Sequence, residues 1–311
     1  MKRKDILQRL EERLARGEIS EKTYLDIKAR YDAEPEEPEA ASPGPDLTAS
    51  IHEAVQRATD EALRASQESM RAVSESVRAT SETMRSMDFS GVGVKLSGEE
   101  IRIVGSGVVS GNPVKTVEFK VAGSGRIQGP LECQTVRVSG SCDLDGDVRC
   151  VDFRSSGSSR VAGSLHAEDV DVSGALEVAK DLNAVDVSAS GSLRVDGSLS
   201  AQDFHSAGNV QVRGELKAQD VDIELGGSSR IGTIQGQDIV VRVSGGFLRS
   251  RGDLTVDRIV GQDVDLVRTT AAYVQGQDVR IGPHCRIDTV VAQELVVHES
   301  SEVKERRVQN E

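Results

Sequence analysis

The sequence predicts a mostly β fold, a single-stranded parallel β-helix preceded by helical N-terminal segments. Three columns point there. Gly123, Gly140, Gly157, Gly174, Gly191 and Gly208 recur every 17 residues. Asp152, Asp169, Asp186, Asp203 and Asp220 keep the same interval. Beside the second column runs an apolar one, Val136, Phe153, Val170, Val187, Phe204 and Val221, at the same spacing. A fixed period of this kind is the mark of a solenoid, in which each repeat buries its apolar side chains against its neighbours.

Composition agrees with a narrow, layered core. Only 3% of the 311 residues are aromatic, none is Trp, and there are 30 glycines. The core must therefore be built from Val, Ile, Leu and Ala. The net charge of −13 sets up a field that repels nucleic acid and anionic lipid, so neither is an expected partner. No apolar run approaches the roughly 18 to 20 residues that span a bilayer, and the amphipathic start lacks the apolar stretch of a secretory signal. Cys133, Cys142, Cys150 and Cys285 form no CxxC pair, so zinc ligation is not expected. Reduced thiols and a cytoplasmic setting are the simplest expectation.

Residues 1–32 read as a helical hairpin. Ile6, Leu7, Leu10 and Leu14 follow helical spacing, Gly17 is a natural stop, and Ser20 caps a second helix carrying Tyr24, Ile27 and Tyr31. The run from Leu10 through Gly17-Glu18-Ile19-Ser20 to Tyr24 resembles the SHOCT type of short helical domain. That resemblance implies an appended domain that aids oligomerisation. Residues 33–47 hold Pro35, Pro38, Pro43 and Pro45 among acidic residues and read as an extended linker.

Residues 48–88 read as a helix with a strict heptad repeat. Glu61, Glu68, Glu75 and Glu82 recur every seven residues, as do Arg64, Arg71, Arg78 and Arg85. Leu63, Met70, Val77 and Met84 hold one apolar position, with Val73 and Met87 at the second, shared with Ser66 and Thr80. This 4-3 alternation predicts a coiled-coil seam formed by Leu63, Met70, Val73, Val77, Met84 and Met87. A solvated helix and a membrane-surface helix remain as alternatives. The last is disfavoured because Lys is absent and Glu balances Arg.

Residues 89–303 carry the solenoid pattern. Within one repeat the apolar residues come in pairs two apart, as in Val136/Val138, Cys142/Leu144 and Val148/Cys150. Each pair puts two side chains on one face of a short strand, and three such strands close a coil of triangular section. Further on, Gln202-Asp203, Gln219-Asp220, Gln237-Asp238, Gln262-Asp263, Gln277-Asp278 and Gln293-Glu294 mark the same corner, at spacings of 17, 18, 25, 15 and 16. The step of 25 places a bulge or loop near residues 244–251. About 12 coils are expected in all, on the order of 55 Å of solenoid. Residues 304–311 read as a polar tail.

The simple Val/Gly repeat resembles the bactofilins, a family of polymer-forming cytoskeletal proteins. The resemblance implies a right-handed coil, a cytoplasmic setting and end-to-end stacking without nucleotide. The β region here is longer than that family's core and follows an added helical N-terminus.

Chemistry is sparse. No Walker A loop, dinucleotide fingerprint or GxSxG elbow is present, and Gly105-Ser-Gly107 reads as a turn rather than a phosphate loop. His52, His166, His205, His284 and His298 form no ligand-like spacing; His284, after Pro283, is the best candidate for the catalytic His that left-handed β-helix acyltransferases use, but the hexapeptide signature of that family is absent. Arg251-Gly-Asp253 reads as a turn. The five stacked aspartates admit two readings: carboxylates accepting backbone N–H groups at a corner, which is favoured, or a cation site. Cys133 and Cys150 share one column, where a buried reduced pair is favoured over a disulfide. No catalysis, cofactor or metal is expected.

The expected function is a scaffold or cytoskeletal protein whose partner is another copy of itself, with other cytoskeletal or envelope-associated proteins as further partners. Membrane association through the N-terminal helix is not favoured. Phe89, Val92 and Val94 at one end, and Leu295 and Val297 at the other, are the expected assembly surfaces. A discrete coiled-coil-held oligomeric module that does not polymerise is the alternative.

Overall fold

A computed structural model describes residues 88–97, 99–243 and 252–308. The expected hairpin at 1–32, the linker at 33–47, the seam residues and the 244–251 insertion lie outside the described residues.

Among the described residues thirty strands run from Asp88 to Val308 and form one continuous sheet wound into a parallel solenoid. Each coil presents three faces. In one coil, face A is Thr135–Val138, face B is Ser141–Leu144 and face C is Val148–Arg149. The next coil places Asp152–Ser155, Ser158–Val161 and Leu165–His166 beneath them, paired in parallel and in register. Along face A the corner residue steps from Glu100 to Glu118, Thr135, Asp152, Asp169, Asp186, Asp203, Asp220, Asp238, Asp263, Asp278 and Glu294, twelve coils in all. Six successive steps are of 17 residues; the step of 25 falls between Asp238 and Asp263, as the sequence indicates.

Alternation decides what goes inside. Val136, Val138, Cys142, Leu144, Val148 and Cys150, the three pairs of one repeat, are all buried. Because the interior is close-packed, a larger side chain in a coil demands a smaller one beside it. Phe153 shares its coil with Ser155 and Ser159, whose hydroxyls hydrogen-bond each other at 2.8 Å. Phe204 is followed by Ser206, and Phe119 shares a coil with Gly125. Just past each face C strand comes a column of small buried residues: Thr116, Cys133, Cys150, Ala167, Ala184, Ala201 and Ala218.

The glycine column has a steric cause. A Cβ on Gly140 would lie 2.0 Å from the carbonyl oxygen of Gly123, and one on Gly157 would lie 1.9 Å from that of Gly140. Outside, face B alternates charge from coil to coil: Arg126 with Asp143 at 3.2 Å, and Arg160 with Glu177 at 2.7 Å. Each exposed pair contributes little, but opposite charges facing across paired strands reinforce the in-register stack.

Four expectations change. Phe89, Val92 and Val94 do not begin the first coil: the strand Asp88–Ser97 runs antiparallel to Glu100–Ser110, and coiling starts at Glu100. Residues 304–311 are not simply a tail, since Glu302–Val308 is a strand paired in parallel with Arg286–Ala292. Gly105-Ser-Gly107 is no isolated turn and lies inside the strand Glu100–Ser110. The corner aspartates do not accept backbone N–H groups either. At that corner a carbonyl does so, the Glu168 oxygen accepting from both Val185 and Asp186 at 2.9 Å. Asp147 and Asp181 are the carboxylates that take a backbone N–H, from Ser164 and Ser198, each at 2.8 Å and one coil on.

Candidate functional site

Three features stand out on the solenoid: its two ends and its carboxylate corner.

At the first coil, Asp88–Ser97 pairs with Glu100–Ser110 from Ser97↔Glu100 to Asp88↔Ser110, with an irregularity between Val92 and Val94. It crosses faces A and B together. Gly91 and Gly93 let it do so: both have positive φ, and a Cβ on Gly91 would meet the Ser106 oxygen at 2.2 Å. Val94 and Leu96 are half-buried against the core, and beneath them Ile101 and Ile103 are fully buried. Phe89, Val92 and Val104 are left exposed, Val92 by 83%.

The last coil is finished differently. Glu294–Val297 and Glu302–Val308 pair with the coil above, and among the described residues no strand pairs with their other edges. Leu295, Val297 and Val303 sit half-buried over the end of the core. One inward column changes character here. Val274 pairs with Val290, and Val290 with Arg306, so an arginine takes the terminal core position. Lys304 pairs with Asp288 at 2.6 Å and Arg307 with Glu305 at 2.8 Å. Sequence reasoning found Leu295 and Val297 but missed Val303 and Arg306. The alternation of Leu295, Val297 and Val303 was the available signal.

The corner ladder is longer than the five aspartates singled out from the sequence. Asp238, Asp263, Asp278 and Glu294 continue it in register, and Glu118 and Glu100 begin it. At its N-terminal end bases discharge it: Glu100 with Arg102 at 2.7 Å, Glu118 with Lys120 at 2.7 Å, and Asp152 with Arg154 at 3.4 Å. Partial loss of solvation and the neighbouring aspartates raise the Asp169 and Asp238 carboxyls from their ordinary value. Asp203 is pushed up to about 6 by burial and by hydrogen bonding and repulsion with Asp186 and Asp220.

The remaining candidates do not converge. His284 has positive φ, and its backbone N–H reaches the Ser300 hydroxyl. Asp253 of the Arg-Gly-Asp run pairs with Arg268 at 3.0 Å. Cys133 and Cys150 are free, buried thiols, and loss of solvation pushes both far up, which makes them inert. A shallow recess of about 340 Å³ on face B is lined by Thr255, Thr270, Ala272, Asp257, Arg286 and Asp288. Among the described residues no group of three or more His, Cys, Asp or Glu could hold a metal ion, and no helix is long and apolar enough to cross a membrane.

The chain matches no protein-family model, no curated protein and no solved structure.

Proposed function

We propose that this chain is a structural scaffold that joins further copies of itself through the ends of its solenoid, without nucleotide. The N-terminal segments that read as helical in the sequence, residues 1–32 and 48–87, then cluster chains or recruit partners, including other cytoskeletal or envelope-associated proteins. One observation carries this reading. Among the described residues the last coil leaves strand edges unpaired over a core that ends in half-buried Leu295, Val297 and Val303. Such an edge is a template for a further strand. Completing the burial of each aliphatic side chain contributes about 1 kcal/mol, and each added backbone hydrogen bond a similar amount. The resemblance to bactofilins supports the same reading and adds a cytoplasmic setting. The net charge of −13 argues against nucleic acid as the partner.

A second reading draws on Arg306. An inward-pointing charge on a terminal strand is a known means of blocking edge association. On that reading the solenoid is a discrete rod, and the N-terminal helices alone set the oligomer.

Sedimentation velocity of the full chain over a hundred-fold range of concentration separates the two. Species that grow in mass with concentration, without nucleotide or metal, support end-joined assembly. A single species of fixed mass overturns it in favour of the discrete module.

A further inference from the structure

We propose that the middle of the corner ladder, from Asp169 to Asp263, is a proton-sharing stack that makes the solenoid more stable as the solution is acidified. In-register parallel pairing places Asp169, Asp186, Asp203, Asp220, Asp238 and Asp263 directly one above another. Successive coils are about 4.8 Å apart, and like charges facing across paired strands at that distance repel.

The fold has a way to discharge this column and does not use it here. At the N-terminal end a base two residues further along the same strand, or on the adjoining one, meets each acid: Arg102 and Lys120 for Glu100, Lys120 and Arg137 for Glu118, Arg154 for Asp152. In the middle the corresponding positions are Asp171, Ser188, His205, Asp222, Val240 and Asp265. Two basic side chains stand nearby, His205 and Arg242, and both turn to Asp222.

The groups facing each member are therefore mostly acids. Asp203 faces Asp186 on the strand before and Asp220 on the strand after, with His205 on its own strand engaged elsewhere. Asp238 faces Asp220 and Asp263. Asp169 faces Asp152 and Asp186, with Arg154 the one opposing charge.

A shared proton resolves the conflict. A protonated carboxyl donates its O–H to an ionised neighbour, turning a repulsive contact into a charge-assisted hydrogen bond. Asp169, Asp203 and Asp238, the three members pushed upward, are alternate rungs, the arrangement in which one proton serves two contacts. The folded chain then holds protons that the unfolded chain has lost. A carboxyl raised on folding stabilises the fold fully below its ordinary value near 3.8, and that contribution is lost as pH rises through about 6.

The test is urea unfolding of the full chain between pH 8 and pH 5.5, followed by far-ultraviolet circular dichroism, beside Asp203→Asn. The folding constant should rise on going from pH 8 to 5.5, and because Asp203 is exposed to solvent its own share is at most about four-fold. Asparagine keeps a donor at every pH, so the variant should lose that part of the rise. Asp143→Asn, which alters an exposed pair on face B, should keep it. A second measurement guards against a local disturbance by the substitution. Unfolding at pH 6 in unbuffered solution should release more protons from the natural chain than from the variant, by up to about half a proton. An equal pH dependence and equal proton release in the two proteins overturns the proposal.

Discussion

The two ends of the solenoid carry the same kind of core and close it in different ways. At the first coil the chain reverses, and Asp88–Ser97 lies antiparallel across two faces. Ile101 and Ile103 are fully buried beneath it. At the last coil nothing described reverses, and the corresponding face A residues, Leu295 and Val297, stay half-buried. A stack of parallel coils cannot cap itself, because each added coil recreates the open edge that it covers. A strand running the other way ends the series, whereas among the described residues the C-terminal end has the charged side chains of Glu302–Val308, Arg306 in the inward column among them, to discourage its continuation. The asymmetry makes the C-terminal end the stronger candidate for assembly.

The largest effect expected from breaking this comparison lies between the ends. Gly157→Ala places a Cβ 1.9 Å from the Gly140 oxygen, so the coils must part there. We expect a loss of about 3 kcal/mol or more, read by urea unfolding. A loss under about 1 kcal/mol would show that the corner yields easily. Next comes the N-terminal strand. Gly91→Val puts a branched side chain at positive φ against the Ser106 oxygen and should lift the strand, at about 2 kcal/mol. Hydrogen exchange should then quicken at the Ile101 and Ile103 amides while protection of the last coil is unchanged. The smallest effect sharpens the contrast. Arg306→Leu continues the Val274 and Val290 column to the terminal coil. It should strengthen association by about 1 kcal/mol, lowering the concentration at half-assembly about five-fold in sedimentation.

Much of this was legible in the sequence, for a physical reason. Stacked coils see the same environment at each turn, so Gly123 to Gly208 and Asp152 to Asp220 repeat in step with the fold. What was not legible concerns direction and termination. Asp88–Ser97 alternates with period two, and period two has no polarity, so its antiparallel course could not be read from Phe89, Val92 and Val94. Glu302–Val308 has five charged residues in seven and looks like a tail, yet backbone pairing to Arg286–Ala292 makes it a strand. The role of the corner aspartates was misjudged because a carbonyl one coil earlier already takes the backbone N–H groups.

The claim of assembly through the C-terminal end is tested most directly by negative-stain electron microscopy of the full chain at moderate salt, without nucleotide or metal, beside the double variant Leu295→Glu with Val303→Glu. Half-exposed positions at a terminal coil tolerate these changes, so the variant should remain folded by circular dichroism. End-joined filaments are expected from the natural chain, the C-terminal edge of one copy meeting the exposed Phe89 and Val92 end of the next, and short single particles from the variant. Uniform small particles from the natural chain, or filaments unchanged in the variant, would contradict it.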